Sequence, residues 1–155
     1  MALQKSSLDK RGPGMVENAI SSLNAWIGDY LSQTGNELQQ PMAVYRDNRP
    51  VSPEALIAPP TGKVCVFVHG LGCNESSWKF RAPHEGGDYG RLLAERCGYT
   101  PLYLRFNTGL RVSTNGKQLA ELLGRFCACQ NGAVTELLLI GHSLGGLVIR
   151  SACHE

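Results

Sequence analysis

The stretch Glu136-Leu137-Leu138-Leu139-Ile140-Gly141-His142-Ser143-Leu144-Gly145-Gly146 decides the fold. Its first five residues carry four consecutive large aliphatic side chains with no polar alternation, the pattern of a strand buried on both faces in a parallel sheet. After it, Leu144, Leu147, Val148 and Ala152 recur at helical spacing. A strand that breaks sharply into a helix carries the residues of the break to the carboxyl rim of the sheet. A serine hydroxyl is a poor nucleophile unless it is exposed, aimed and paired with a base. A tight strand-to-helix turn supplies the exposure and the aim. It strains the backbone at the serine, and the flanking glycines remove side chains that would collide across it. The helix starting at about Ser143 also turns its free N–H groups and positive dipole end toward any negative charge that develops there. Ser143 is therefore the candidate nucleophile. The Gly-x-Ser-x-Gly pattern alone is loose in a chain with 18 glycines. The buried strand before it and the apolar helix after it make it specific.

A second break of the same kind lies upstream. Val64-Cys65-Val66-Phe67-Val68 reads as another buried strand and stops at His69-Gly70-Leu71-Gly72. Attack on a carbonyl passes through a tetrahedral oxyanion, which preorganised N–H donors stabilise. The Leu144 amide, just after the serine, is one candidate donor, and the Leu71 amide in this upstream loop is the other. The competing reading of the segment is a tight turn that needs glycine.

Between the two breaks, Cys73 to Gly87 reads as a polar loop. Asp88 is placed to cap a helix over Tyr89–Arg96 that Gly98 closes. A strand over Pro101–Phe106 follows, then a helix capped by Ser113 or Thr114 with Leu119, Leu122, Leu123 and Phe126 on its apolar stripe, ending at Asn131-Gly132. Upstream, residues 1–14 are polar and are expected to be disordered. Val16, Ile20, Leu23, Trp26, Ile27, Tyr30 and Leu31 mark an amphipathic helix ending near Gly35 and Asn36, expected to pack its apolar stripe inward. Lys and Arg are scarce on its polar face, which disfavours a membrane-surface helix. Met42–Tyr45 reads as a short strand before a turn, and residues 52–62 as a Pro-rich connection. The expected organisation is thus 1–14, a lead-in over 15–62, and an α/β domain over 63–155, with strands alternating with helices and a parallel sheet.

Composition bounds the function. The chain has 155 residues, 43% hydrophobic and 18% charged, with 15 Lys and Arg against 13 Asp and Glu. A net charge of +2 gives no electrostatic reason to expect nucleic acid or an anionic membrane as partner. No apolar run approaches the roughly 20 residues of a transmembrane segment. Met1 to Lys10 is polar, without the apolar core of a secretory signal, so a cytoplasmic location is expected. The six cysteines form no Cys-x-x-Cys pair and read as reduced, buried, small apolar residues.

Val66-Phe67-Val68-His69-Gly70-Leu71-Gly72 together with Gly141-His142-Ser143-Leu144-Gly145-Gly146 resembles the α/β-hydrolase superfamily, in its lipase and serine-esterase branch. Tyr103-Leu104-Arg105-Phe106-Asn107-Thr108-Gly109 and Val112-Ser113-Thr114-Asn115-Gly116 are similar to the bacterial relatives of the inositol-deacylase-like (PGAP-type) hydrolases. The resemblance runs from about Met42 to the C-terminus. It implies Ser143 as nucleophile, Leu71 and Leu144 as oxyanion-hole donors, and no metal or organic cofactor. It makes the three buried strands the third, fourth and fifth of an eight-stranded sheet whose C-terminal strands are missing. It puts Asn107 and Thr108 near the site, with turn chemistry favoured over substrate contact for Asn107. The implied substrate is a small-molecule carboxylic ester or a lipid; thioesterase, acyltransferase and lipid deacylase stay open. Dehalogenases of this superfamily are disfavoured, because they carry an aspartate at the serine's position.

In this superfamily the acid and then the base follow the nucleophile along the chain. Only His154 and Glu155 do so here, and they stand about 16 Å along the helix from Ser143 at 1.5 Å per residue, out of reach. His142, His69 and His84 are weaker candidates as base: the first reads as pocket wall, the second as support for its own loop. The expectation is a truncated hydrolase, inactive alone, with Glu136–Ile140 as an uncovered edge prone to aggregation. The alternative from another class is a non-catalytic binding or interaction protein on the same fold.

Overall fold

The computed structural model describes residues 13–46, 49–56, 61–81 and 86–155. Of the segment 1–14 expected to be disordered, residues 1–12 lie outside the described residues, as does the candidate His84; residues 13 and 14 instead begin the first helix.

A mixed, mostly parallel sheet forms the centre. In chain order its strands are β1 (Ala43–Arg46), β2 (Arg49–Val51), β3 (Lys63–Val68), β6 (Thr100–Arg105) and β7 (Glu136–Gly141), arranged spatially as β2-β1-β6-β3-β7. β3 runs parallel to both neighbours, in register Val66↔Leu102 with β6 and Val66↔Leu139 with β7. β1 pairs antiparallel with β6 and turns back into β2. Three parallel strands and the short strand read over Met42–Tyr45, which is β1, agree with expectation; β2 falls where a turn was expected.

β3 explains its own sequence. With a strand on each side and layers on both faces, five of its six residues are buried, so a continuous apolar, β-branched run is what the position requires. Val64, Val66 and Val68 join Leu102, Leu104 and Phe106 in the main core. That core packs against α3 (Val112–Cys129) through Leu119, Leu122 and Phe126, and against α4 (Leu144–Ala152) through Val148. The other face carries α2 (Tyr89–Cys97) and an aromatic cluster in which Phe67 lies 4.9 Å from Trp78 and 5.3 Å from Tyr103. Asp88 caps α2 by accepting from Gly90 and Arg91 N–H, and Gly98 closes it at φ 73°.

Several expectations are corrected. The loop 73–87 contains a 3-10 turn at Glu75–Trp78 and a small hairpin, β4 (Lys79–Arg81) with β5 (Gly86–Asp88). α3 begins at Val112, with Arg111 at the cap position and no side-chain cap. Ser113 and Thr114 fall inside the helix, which forms on the strength of its buried stripe. β7 is not buried on both faces: Glu136 and Leu137 are exposed and the next three residues half-buried, because it pairs with β3 alone. Of the six cysteines, all free, only Cys65 is buried; Cys97, Cys129 and Cys153 are exposed.

The largest correction concerns α1 (Pro13–Gln33), which bends at Ile27 (φ −131°). Its apolar stripe is split: Leu31 is buried and Val16, Ile20 and Leu23 are half-buried, as expected, but Trp26 is 87% exposed and Tyr30 62%. The buried face is Ser21, Asn24, Gly28 and Leu31. α1 packs on loops rather than on the sheet, and loops present backbone amides and carbonyls that polar or small side chains satisfy. Asn24 donates to Leu38 O (2.8 Å) and Ile20 O (2.9 Å), and its Oδ1 accepts from Gln40 N–H (3.1 Å). No helix among the described residues is long and apolar enough to cross a membrane.

Candidate active site

β7 delivers Gly141 to the carboxyl end of the sheet, and α4 starts at Leu144. Ser143 stands between them at φ 52°, ψ −119°, a backbone state that L residues rarely adopt. The neighbouring glycines are sterically required. A Cβ on Gly141 would lie 2.6 Å from Gly146 N, and one on Gly145 would lie 2.1 Å from Val68 O. The turn is therefore tight against both its own helix and the end of β3. His142 N–H donates to Val68 O (3.0 Å), which ties the turn to the neighbouring strand. Ser143 is exposed.

The loop after β3 abuts this turn. A Cβ on Gly70 would sit 3.0 Å from His142 Nδ1 and 3.3 Å from Ser143 Cβ. Leu71 follows, with a 59% exposed side chain, so its backbone is what the site can use. Among the described residues, neither the Leu71 nor the Leu144 amide has a hydrogen-bond acceptor. Both other ends of the Leu71 peptide pair are held. Gly70 O accepts from Cys73 N–H (3.2 Å) and faces His69 Nδ1 (3.0 Å), and Gly72 N–H donates to Thr108 Oγ1 (3.1 Å).

His69 is buried, with its ring stacked on Phe106 at 4.5 Å. Burial holds its pKa down at about 4, so the ring is neutral near pH 7. Because Nδ1 faces a carbonyl oxygen, it carries the proton, and Nε2 is left as a buried acceptor without a partner among the described residues. A ring so placed supports the loop. It forms no hydrogen bond with Ser143, and neither does the exposed His142. His154 lies two residues beyond the end of α4, at the far end of the helix from the serine.

Asn107 is buried and acts as a brace: Nδ2 donates to Gly28 O of α1 (2.7 Å), Oδ1 accepts from Gly109 N–H (3.0 Å), and its carbonyl accepts from Asn115 Nδ2 (3.0 Å). Turn chemistry and anchoring are both realised, without direct exposure to a substrate. Sequence reasoning gave no role to Arg105. This buried side chain donates through Nε to Glu75 Oε2 (2.6 Å), pairs with Glu17 of α1, and lies 4.0 Å over the Tyr45 ring. An arginine within a strand pattern was the only signal of it.

The site thus offers an exposed, strained serine beside two unpaired backbone donors, an arrangement suited to acyl transfer. A family profile described as "Putative serine esterase (DUF676)" matches residues 60–155. Comparison with curated proteins and with solved structures returns no significant match.

Proposed function

This chain belongs to the DUF676 serine-esterase family, and on that premise we propose that Ser143 is the nucleophile of a carboxylic-ester hydrolase on an α/β-hydrolase sheet. The observation that carries the reading is the Ser143 backbone, at φ 52° and ψ −119° between β7 and α4. Strain of this kind costs on the order of 1–3 kcal/mol and persists where a function requires it. The spatial order, with β6 and β7 flanking β3, supports the sheet assignment.

In this reading Ser143 Oγ attacks the ester carbonyl carbon while a general base takes its proton. The oxyanion accepts from the Leu71 and Leu144 amides. Collapse of the tetrahedral intermediate expels the alcohol, and water then releases the acid from the acyl-enzyme. Among the described residues no side chain is bonded to Ser143 Oγ, so the base is a group outside that set of contacts. The exposed Leu71 side chain beside the serine favours an ester with an apolar acyl part, in keeping with a lipid-deacylase branch.

The test is covalent labelling by a fluorophosphonate, read by mass spectrometry. The folded full-length protein is expected to be modified at Ser143, and Ser143→Ala is expected to abolish modification. A folded full-length protein that stays unmodified overturns the esterase reading and favours a non-catalytic binding protein.

A further inference from the structure

Leu71 cannot be held in place by its own side chain, which is 59% exposed. Its orientation depends on the two peptide planes that flank it. The plane before it, which carries the Leu71 N–H itself, is fixed at its oxygen, where Gly70 O receives Cys73 N–H (3.2 Å) and His69 Nδ1 (3.0 Å). The plane after it is fixed at its nitrogen, where Gly72 N–H donates to Thr108 Oγ1 (3.1 Å) across 36 positions of sequence. That second bond is the loop's tie to a different strand's end. Gly72 sits at φ 68°, a state glycine shares readily between the two signs of φ. Without an external tie the far end of the loop that carries Leu71 has little to hold it against Ser143.

Thr108 is well placed to be that tie. It is 4% exposed and follows Asn107, whose side chain is bonded on both sides, to Gly28 O of α1 and to Gly109 N–H. Gly109 lies so close to α1 that a Cβ there would be 2.2 Å from Asn24 O. The turn carrying Thr108 is thus clamped from behind by a helix that lies outside the family-matched segment.

We propose that Thr108 is a positioning residue: through its hydrogen bond to Gly72 N–H it anchors the loop whose Gly70–Leu71 plane presents the Leu71 amide to Ser143. The proposal rests on the serine-esterase reading, and it takes its free energy from preorganisation: a donor aimed before the reaction costs nothing to reorient during it. A side chain that merely filled space would act through its methyl group; a positioning residue acts through its oxygen.

The experiment compares Thr108→Val, Thr108→Ser and wild type by the rate of fluorophosphonate labelling and by amide hydrogen exchange at Gly72, both on the full chain. Thr108→Val is expected to slow labelling by about tenfold or more, since misplacing a group by an ångström can cost about a hundredfold. It is expected to speed exchange at Gly72, and Thr108→Ser to restore both. Should Thr108→Val fail to fold, Thr108→Ala set against Thr108→Ser carries the same comparison, because that pair differs only in the hydroxyl. Labelling of the valine or alanine variant at the wild-type rate overturns the positioning role and leaves the esterase reading standing. Absence of labelling in the folded full-length wild type overturns both.

Discussion

Ser143 and His69 show how one residue's environment becomes a measurable property. The Ser143 φ of 52° is a cost that glycine would not bear, so Ser143→Gly is expected to raise stability by about 1 kcal/mol while abolishing labelling. Ser143→Ala, which keeps a Cβ in the same state, should lack that gain; urea denaturation of the two variants checks it. For His69, burial lowers the pKa from 6.5 to about 4. Between those values the unfolded chain binds a proton that the folded one refuses, so stability present above pH 6.5 is lost as pH falls toward 4. His69→Gln should flatten this part of the profile, measured as urea midpoints from pH 7 to pH 4. The strand-to-helix turn at Ser143 was legible because its motif is local. The roles of Thr108 and Asn107 were not, because their partners lie 36 and 79 positions away and hydrogen bonding of that range leaves no periodicity.

At the level of elements, periodicity located helix α1 but only part of its packing. Leu31 is buried and Val16, Ile20 and Leu23 half-buried, yet Trp26 and Tyr30 are exposed, and much of the side that packs is built from Ser21, Asn24 and Gly28. Hydrophobic patterning presumes an apolar partner, and α1 packs on the polar backbone of loops. Trp26→Ala is accordingly expected to change stability by less than about 0.5 kcal/mol. Asn24→Ala should cost about 1–3 kcal/mol, because it strands the Leu38 carbonyl and the Gln40 amide that Asn24 now satisfies. Thermal or urea unfolding of the two variants distinguishes the faces. β3 and α3 were read correctly in kind for the complementary reason: each meets an apolar core, Val64 to Val68 on one side and Leu119, Leu122 and Phe126 on the other. The same local logic misplaced the start of α3, since Ser113 and Thr114 are good caps that tertiary packing left uncalled for.

For the whole molecule, the alternation of buried strands with helices was enough to give the parallel sheet, and the central place of β3 agrees with the strand order that the family resemblance implies. The antiparallel pairing of β1 with β6 was out of reach, because register between distant strands depends on packing that no short window contains. Among the described residues, one edge of the sheet is β7, whose backbone pairs with β3 alone and whose Leu137 is 37% exposed. A groove of about 460 Å³ lined by Phe67, Trp78, Leu93 and Ile140 lies on the adjoining face. An unpaired, apolar strand edge invites association. Leu137→Lys is therefore expected to reduce self-association of the chain, read as average mass by light scattering across a concentration series.

That edge strand also carries the serine, and β3 carries the loop that faces it. Their ladder runs without interruption from Lys63↔Glu136 to Val68↔Gly141. Sliding one strand past the other by a single residue would displace the hydroxyl by about 3.3 Å relative to the Leu71 amide and turn every β7 side chain to the opposite face. The alignment of the chemical groups is therefore decided during folding, when these two strands zip together, and a chain that zips one notch off would be compact yet chemically silent.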